Sequence, residues 1–306
     1  MSDVLARARE RAAHELGMTG GRMVGRGLES EVWRMHHPEW GEVAVRLPAS
    51  EEPANENDPE VDPAALYRHE AAVYSYLAGT DIPVPRAYAL LRFEVDVAVT
   101  EYIENDRSGF DSAALGRLLA RLHALPPMPT IDPSRAADAF RGTVVQRLVR
   151  RWGVLRRVDP TLPEPPPADR LTALVPAAAT SLLHLDVRAE NLLTRGGKIR
   201  ALIDWTNSMI GDPAFELARA ELYAAYPENG LDLEALLRGY ATLRPLPARS
   251  ERCTALYRLD AAVMLAVVFT HEAPDTVRGA QALARVHALL EGWDLGAATA
   301  HGVSAH

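Results

Sequence analysis

The sequence predicts an α+β chain built as two lobes, a small antiparallel-sheet lobe followed by a larger, mostly helical one. Three observations predict it. Apolar residues alternate at period two in several short stretches before residue 103, as in Glu42-Val43-Ala44-Val45-Arg46-Leu47. Beyond that point leucines recur at helical spacing, beginning with Leu115, Leu118, Leu122 and Leu125. Between the two regimes lies a polar connection, Asn105-Asp106-Arg107-Ser108-Gly109, which places the boundary near Ile103 and divides the chain into lobes 1–103 and 104–306. A length of 306 residues exceeds one average domain and falls short of three, which suits two intimately packed lobes.

Residues 1–17 alternate charged and apolar side chains without the apolar core of a secretory signal, and are expected to begin a helix. A glycine-containing turn at 25–30 leads into 31–35, and with 42–47 this gives three antiparallel strands. Residues 51–62 hold six acids, no base and two prolines, the pattern of a solvated loop. Asp62-Pro63 supplies an N-cap and a first-turn proline for a helix reaching Ala78, which Gly79 ends. Strands are expected at 86–92 and 95–102, a proline-rich loop at 162–167, and a strand-rich island at 182–204 within an otherwise helical second half.

Composition narrows the function. With 48% hydrophobic and 24% charged residues the chain is globular rather than disordered or fibrous. A single cysteine, Cys253, excludes an intrachain disulfide and thiolate-rich zinc or iron–sulfur sites, and fits a reducing compartment. The longest apolar run, 261–269, falls short of the ~20 residues that span a bilayer, so a soluble, cytoplasmic protein with no membrane partner is expected. A net charge of −8 disfavours nucleic acid and favours cationic small molecules.

The chemistry concentrates in Leu183-His184-Leu185-Asp186-Val187-Arg188-Ala189-Glu190-Asn191-Leu192-Leu193, followed by Gly196-Gly197 and Ile199-Arg200-Ala201-Leu202-Ile203-Asp204-Trp205. A Gly-Gly turn between two apolar β-type runs makes a hairpin, and pairing across it returns Asp204 to the neighbourhood of Asn191. Amide and carboxylate oxygens suit Mg²⁺ carried in with nucleotide phosphates rather than Zn²⁺. Asp186, five residues before Asn191, stands where an acceptor hydroxyl donates its proton. Upstream, Leu66, Glu70, Val73 and Leu77 share one helix face, so the Glu70 carboxylate needs a countercharge, and Arg46 supplies it.

This segment resembles the catalytic loop of the kinase superfamily, His-x-Asp-x-x-x-x-Asn, with Asp204 matching the metal-binding aspartate that follows. Ile203-Asp204-Trp205 and Gly211-Asp212-Pro213-Ala214-Phe215-Glu216-Leu217-Ala218 are similar to the aminoglycoside phosphotransferase family in its broad sense, which includes macrolide, choline, homoserine, methylthioribose and fructosamine kinases. The resemblance spans about residues 25–269 and implies a protein-kinase-like fold and ATP- and Mg²⁺-dependent phosphorylation of a hydroxyl on a small molecule, with GTP as the other donor. An aminoglycoside or other hydroxylated antibiotic is the first acceptor it implies, and a primary metabolite of the homoserine, choline or sugar type is the alternative.

By the same resemblance Asp186 and Arg188 are the catalytic candidates, and Asn191 and Asp204 the metal ligands. Gly25, Gly27 and Ser30 belong to the nucleotide-covering loop, Arg46 stands where protein kinases place a lysine, and Glu70 pairs with it; Thr100, Glu101 and Ile103 complete the nucleotide contacts. Glu216 stands where relatives carry an aspartate bonded to loop amides, while His184 and His123 read as structural histidines. Trp205, Asn207, Glu221, Asp260, Glu272 and Asp275 are candidate acceptor contacts. The rival classes are a nucleotide-binding regulator, which intact Asp186, Asn191 and Asp204 argue against, and a metal-dependent hydrolase, for which no second histidine cluster is at hand.

Overall fold

The computed structural model describes residues 3–27, 30–49, 56–59, 62–126, 128, 133–177 and 181–293. Among them the N-terminal half carries a five-stranded antiparallel sheet: β1 (Thr19–Arg26), β2 (Ser30–His37), β3 (Gly41–Pro48), β4 (Ala87–Arg92) and β5 (Asp96–Glu101), in the order β1-β2-β3-β5-β4. The alternation read in the sequence has its usual cause. Val43, Val45 and Leu47 of β3 bury one face together with Val97 and Val99 of β5, and the helix α1 (Asp3–Glu15) covers that face with Ala8 and Ala12. Arg46, between Val45 and Leu47, faces the other way and meets Glu70. Helix α2 (Pro63–Leu77) links β3 to β4 and buries Glu70, Val73 and Leu77 as the stripe requires.

The second half is helical: α3 (Ser112–Leu122), α4 (Pro133–Val158), α5 (Ala168–Leu174), α6 (Pro213–Ala224), α7 (Leu233–Ala241), α8 (Glu251–Val267) and α9 (Thr276–Glu291). Into it are set β6 (Ser181–Leu183), paired with β9 (Met209–Gly211), and the hairpin of β7 (Leu192–Arg195) and β8 (Lys198–Leu202). Helix α3 ends at Leu122, so the predicted stripe stops one leucine early, and Leu125 packs against the core from the turn beyond. Helices α3 and α7 touch backbone to backbone: a Cβ on Gly116 would lie 1.9 Å from Leu236 O, and one on Gly239 2.1 Å from Ala113 O. The stretch Glu251–Glu272, α8 with the π-turn Val268–Glu272 that continues it, is long and apolar enough to cross a membrane, yet 67% of its apolar window is buried in the core.

One expectation needs correction. The acidic stretch 51–62 was expected to be solvated, and Asp62 is exposed, but 56–59 dock on α4. Asp58 pairs with Arg147 at 2.8 Å and Arg150 at 3.1 Å, Asn57 O accepts from Arg150 and Arg151, and Asn57 N donates to Glu272 Oε1 at 2.8 Å. The countercharges lie about ninety positions away in sequence, out of reach of any local charge count. Residues 51–55 and 60–61 of that stretch, and Leu28 and Glu29 of the covering loop, lie outside the described residues. The polar connection 105–109 is tied to the hairpin that follows: Asp106 accepts Gly196 N at 2.8 Å and Asn105 Oδ1 accepts Thr194 N at 3.1 Å.

Candidate active site

The chain leaves β6 through His184 and turns at Leu185, whose φ of 67° is in the left-handed region that a branched side chain rarely adopts. Its neighbours hold that conformation in place. Glu216 Oε1, from the first turn of α6, accepts His184 N at 3.0 Å and Leu185 N at 2.7 Å. Its Oε2 lies 2.7 Å from His123 Nε2, and the other ring nitrogen of His123 lies 3.0 Å from Tyr240 Oη. Arg219 Nη1 donates to Leu185 O at 3.1 Å, while His184 Nδ1 accepts Asp186 N at 3.1 Å and Nε2 donates to Ile203 O at 2.9 Å. Burial pushes the Glu216 carboxyl up, but the hydrogen bond and charge of His123, with the Leu185 amide, hold it below its ordinary value. The longer side chain at position 216 therefore reaches both loop amides.

That frame presents Asp186. Its Oδ2 accepts Asn191 Nδ2 at 2.7 Å, its Oδ1 accepts Tyr223 Oη at 2.7 Å, and Arg188 Nε lies 3.1 Å from Oδ1 and 3.2 Å from Oδ2. Arg188 also donates to Glu190 at 2.5 Å. Tyr223 and Arg219 were not singled out from the sequence. The signal that finds them is the helix period, because positions 216, 219 and 223 follow one another on one face of α6.

The Gly-Gly turn works as the sequence implies. Gly196 and Gly197 both have positive φ, 58° and 75°, as a two-residue hairpin turn of this hand requires. Leu192 then sits opposite Leu202, and Ile203 N donates to Asn191 O at 3.0 Å, which carries the chain directly into Asp204. Asp204 has φ of 64°, and its Oδ1 accepts Thr206 Oγ1 at 2.8 Å and Arg46 Nη2 at 3.2 Å. Burial raises this carboxyl, but the Arg46 charge together with the Thr206 hydrogen bond and the nearby His184 leaves the group below the ordinary carboxylate range.

Arg46 Nη1 lies 2.9 Å and 2.8 Å from the two oxygens of Glu70, and its Nε donates to Ser30 Oγ at 3.0 Å. Glu70 in turn accepts Trp205 N at 3.0 Å, so α2 is tied to the segment that bears Asp204. The structure therefore gathers Ser30, Arg46, Glu70 and Asp204 in one cluster and Asp186, Arg188 and Asn191 in an adjoining one, joined through the Asn191–Ile203 pairing. Gly25 lies opposite Val32, and Gly27 N donates to Ser30 O at 2.8 Å to close the turn above Arg46. Thr100 and Glu101 lie further along β5, opposite Ala44 and Val43, and Ile103 follows; among the described residues they make no bond to the Arg46 cluster.

Most candidate acceptor contacts have other work. Trp205 is fully buried with its ring 4.5 Å from His184, so it belongs to the core. Asp260 is buried between Arg219 at 3.3 Å and Arg151 at 3.5 Å, and Asp275 caps α9 through Val277 N and Arg278 N. Glu221 pairs with Arg258 at 2.8 Å, Glu272 receives Asn57 N, and Asn207 is exposed.

Comparison with known proteins bears on the fold. The model of the phosphotransferase enzyme family (APH) matches residues 21–253. No curated protein matches the chain by sequence. The fold is similar to a thermostable mutant of aminoglycoside phosphotransferase APH(4)-Ia in ternary complex with ADP and hygromycin B, at TM-score 0.64 and 17% identity over 95% of this chain and 99% of that one. It is similar to APH(2")-IIa in its gentamicin complex, at TM-score 0.61 and 14% identity over 94% and 97% of the two chains. An aminoglycoside-3'-phosphotransferase of type VIII superposes at TM-score 0.58 with 23% identity over 86% of this chain and all of that one. At these identities the likeness establishes the fold, a kinase-like architecture with an N-terminal antiparallel sheet and a helical C-terminal part.

Proposed function

Since the chain belongs to the phosphotransferase enzyme family, and is thereby a small-molecule kinase, we propose that it moves the γ-phosphoryl of ATP to an acceptor hydroxyl, with an aminoglycoside as first acceptor. The observation that carries this reading is the pairing of Ile203 N with Asn191 O, which sets Asp204 beside Asn191 while Asn191 itself holds Asp186. In phosphoryl transfer the protein chiefly positions groups and neutralises charge. Asp186 orients the acceptor hydroxyl and receives its hydrogen bond, and Arg188 supplies a fixed cation beside it. Arg46, with Glu70 behind it and Ser30 above, meets the nucleotide phosphates, under a covering turn at Gly25 and Gly27; Thr100, Glu101 and Ile103 meet the rest of the nucleotide.

The donor set fits Mg²⁺. Asn191 donates through Nδ2, which leaves its Oδ1 for a cation, and Asp204 adds a carboxylate. One amide and one carboxylate fall short of a complete cage, as suits an ion that keeps water and phosphate ligands. When bound, Mg²⁺ neutralises charge on the transferred phosphates. The lobes 1–103 and 104–306 then divide the work between nucleotide and acceptor, in the cytoplasm. The ADP, hygromycin B and gentamicin named with the structural neighbours support the choice of nucleotide and acceptor.

One observation favours a second acceptor class, a hydroxylated metabolite of the homoserine, choline or sugar type. Asp260 and Asp275 spend their carboxylates within the fold, so fewer acids are open to ammonium groups than the sequence suggested. A panel of aminoglycosides, macrolides and hydroxylated metabolites, assayed with ATP and GTP for phosphorylated product, separates the two. Asp186→Ala and Asp204→Ala are expected to abolish transfer in a folded protein; full activity in either variant would falsify the assignment.

A further inference from the structure

Among the described residues that bond the Asp186 side chain, Tyr223 is the one from outside the loop 183–193. It is buried in the last turns of α6, and its hydroxyl is 2.7 Å from Asp186 Oδ1. A carboxylate offers about four acceptor sites. Three donors already converge on this one: Asn191 Nδ2 on Oδ2, Tyr223 Oη on Oδ1, and Arg188 Nε between the two oxygens. With both oxygens engaged, the rotation of the carboxylate decides whether a lone pair is left facing the acceptor hydroxyl.

The tyrosine also completes a series. Along one face of α6, Glu216 takes the amides of His184 and Leu185, Arg219 takes the carbonyl of Leu185, and Tyr223 takes the side chain of Asp186. Three consecutive loop residues are thus held by three side chains at helical spacing. The first two fix the strained backbone at Leu185, and neither touches the carboxylate. Without Tyr223 the plane of the Asp186 carboxylate would be set by Asn191 and Arg188 alone, and Arg188 is drawn away toward Glu190 at 2.5 Å.

We propose that Tyr223 is a positioning residue for phosphoryl transfer, whose hydroxyl locks the Asp186 carboxylate in the one rotation that leaves a lone pair facing the acceptor. The inference rests on the phosphoryl-transfer reading above. Its test compares wild type, Tyr223→Phe, Tyr223→4-aminophenylalanine and Asp186→Ala, using the panel acceptor that wild type turns over best. Slow transfer to water is the readout that needs no acceptor, and MgATP binding is measured separately by calorimetry.

The expected result is a kcat about 10- to 100-fold lower in Tyr223→Phe, the range a hydrogen bond to a charged group commands. KM for ATP and the MgATP affinity should stay within about twofold of wild type, because the tyrosine touches no nucleotide-binding residue, and the aminophenylalanine variant, which keeps a donor, should recover most of the loss. A kcat for Tyr223→Phe equal to wild type overturns the inference while leaving the kinase reading intact. So does a variant that loses nucleotide binding along with kcat, which would mark a merely structural tyrosine. Wild type that transfers to neither an acceptor nor water overturns the kinase reading, and this inference with it.

Discussion

Arg46 is the side chain on which the sheet, α2 and the Asp204 segment converge, and its chemistry sets what substitution costs. Glu70, only 3% exposed, has Arg46 as its cationic partner, and removing one member of a buried pair strands the other charge. Arg46→Ala should lose about 3–5 kcal/mol in urea unfolding and raise the ATP requirement sharply. Arg46→Lys should retain the Glu70 pair and part of the activity. A single ammonium cannot also serve Ser30 and Asp204 with the fixed geometry of a guanidinium, and an alanine variant as stable as wild type would refute the account. The pair was legible because a carboxylate on an apolar helix face demands a partner. Tyr223 was not, because its partner lies across a loop and only the helix period from Glu216 points to it.

Glu216 makes the same case with pH. Its folded carboxyl lies below the ordinary value of 4.5, so the ionised group stabilises the fold above that value, and the contribution disappears as pH falls through the lower, folded value. Wild type should therefore lose stability progressively below about pH 4.5, and Glu216→Gln, less stable at pH 7, should show a shallower acid limb in thermal melts. Parallel limbs would show that the acid sensitivity arises elsewhere.

At the scale of elements, the contact of α3 with α7 depends on two missing side chains. A Cβ at Gly239 would fall 2.1 Å from a backbone oxygen of α3, and backbone cannot rotate aside as a side chain can. Gly239→Ala should therefore cost about 1–3 kcal/mol by overpacking, despite the better helix propensity of alanine, as read in a denaturant titration. Since His123, the C-cap of α3, abuts Glu216, the same variant should lower activity as well as stability. The helices and strands themselves were legible, for hydrophobic period and turn glycines are local signals. The docking of 56–59 on α4 was not, because six acids without a base look solvated until Arg147 and Arg150 are brought in from a distant helix. Loss of stability and faster exchange of the Asn57 amide in Asp58→Ala would confirm that docking by hydrogen-exchange measurement; an amide already exchanging freely in wild type would contradict it.

Across the whole molecule, the two halves are bonded where the chemistry is proposed. Arg46 reaches Asp204, Glu70 takes the amide of Trp205, and His69 on α2 lies 2.8 Å from both Ser208 O and Ser208 Oγ. A ligand that binds among these groups binds the folded state of both halves at once, so its binding energy should appear in one cooperative transition. At a hundred times its Kd, MgATP should add about 2.7 kcal/mol to unfolding and move the calorimetric peak upward without splitting it. Asp204→Ala, without the carboxylate proposed to hold Mg²⁺, should keep the increment given by ATP alone and lose the part that Mg²⁺ adds. Two peaks, of which only the lower-melting one responds to nucleotide, would mean that these contacts are too weak to couple the halves. The nucleotide half would then have to be treated as a separately unfolding unit.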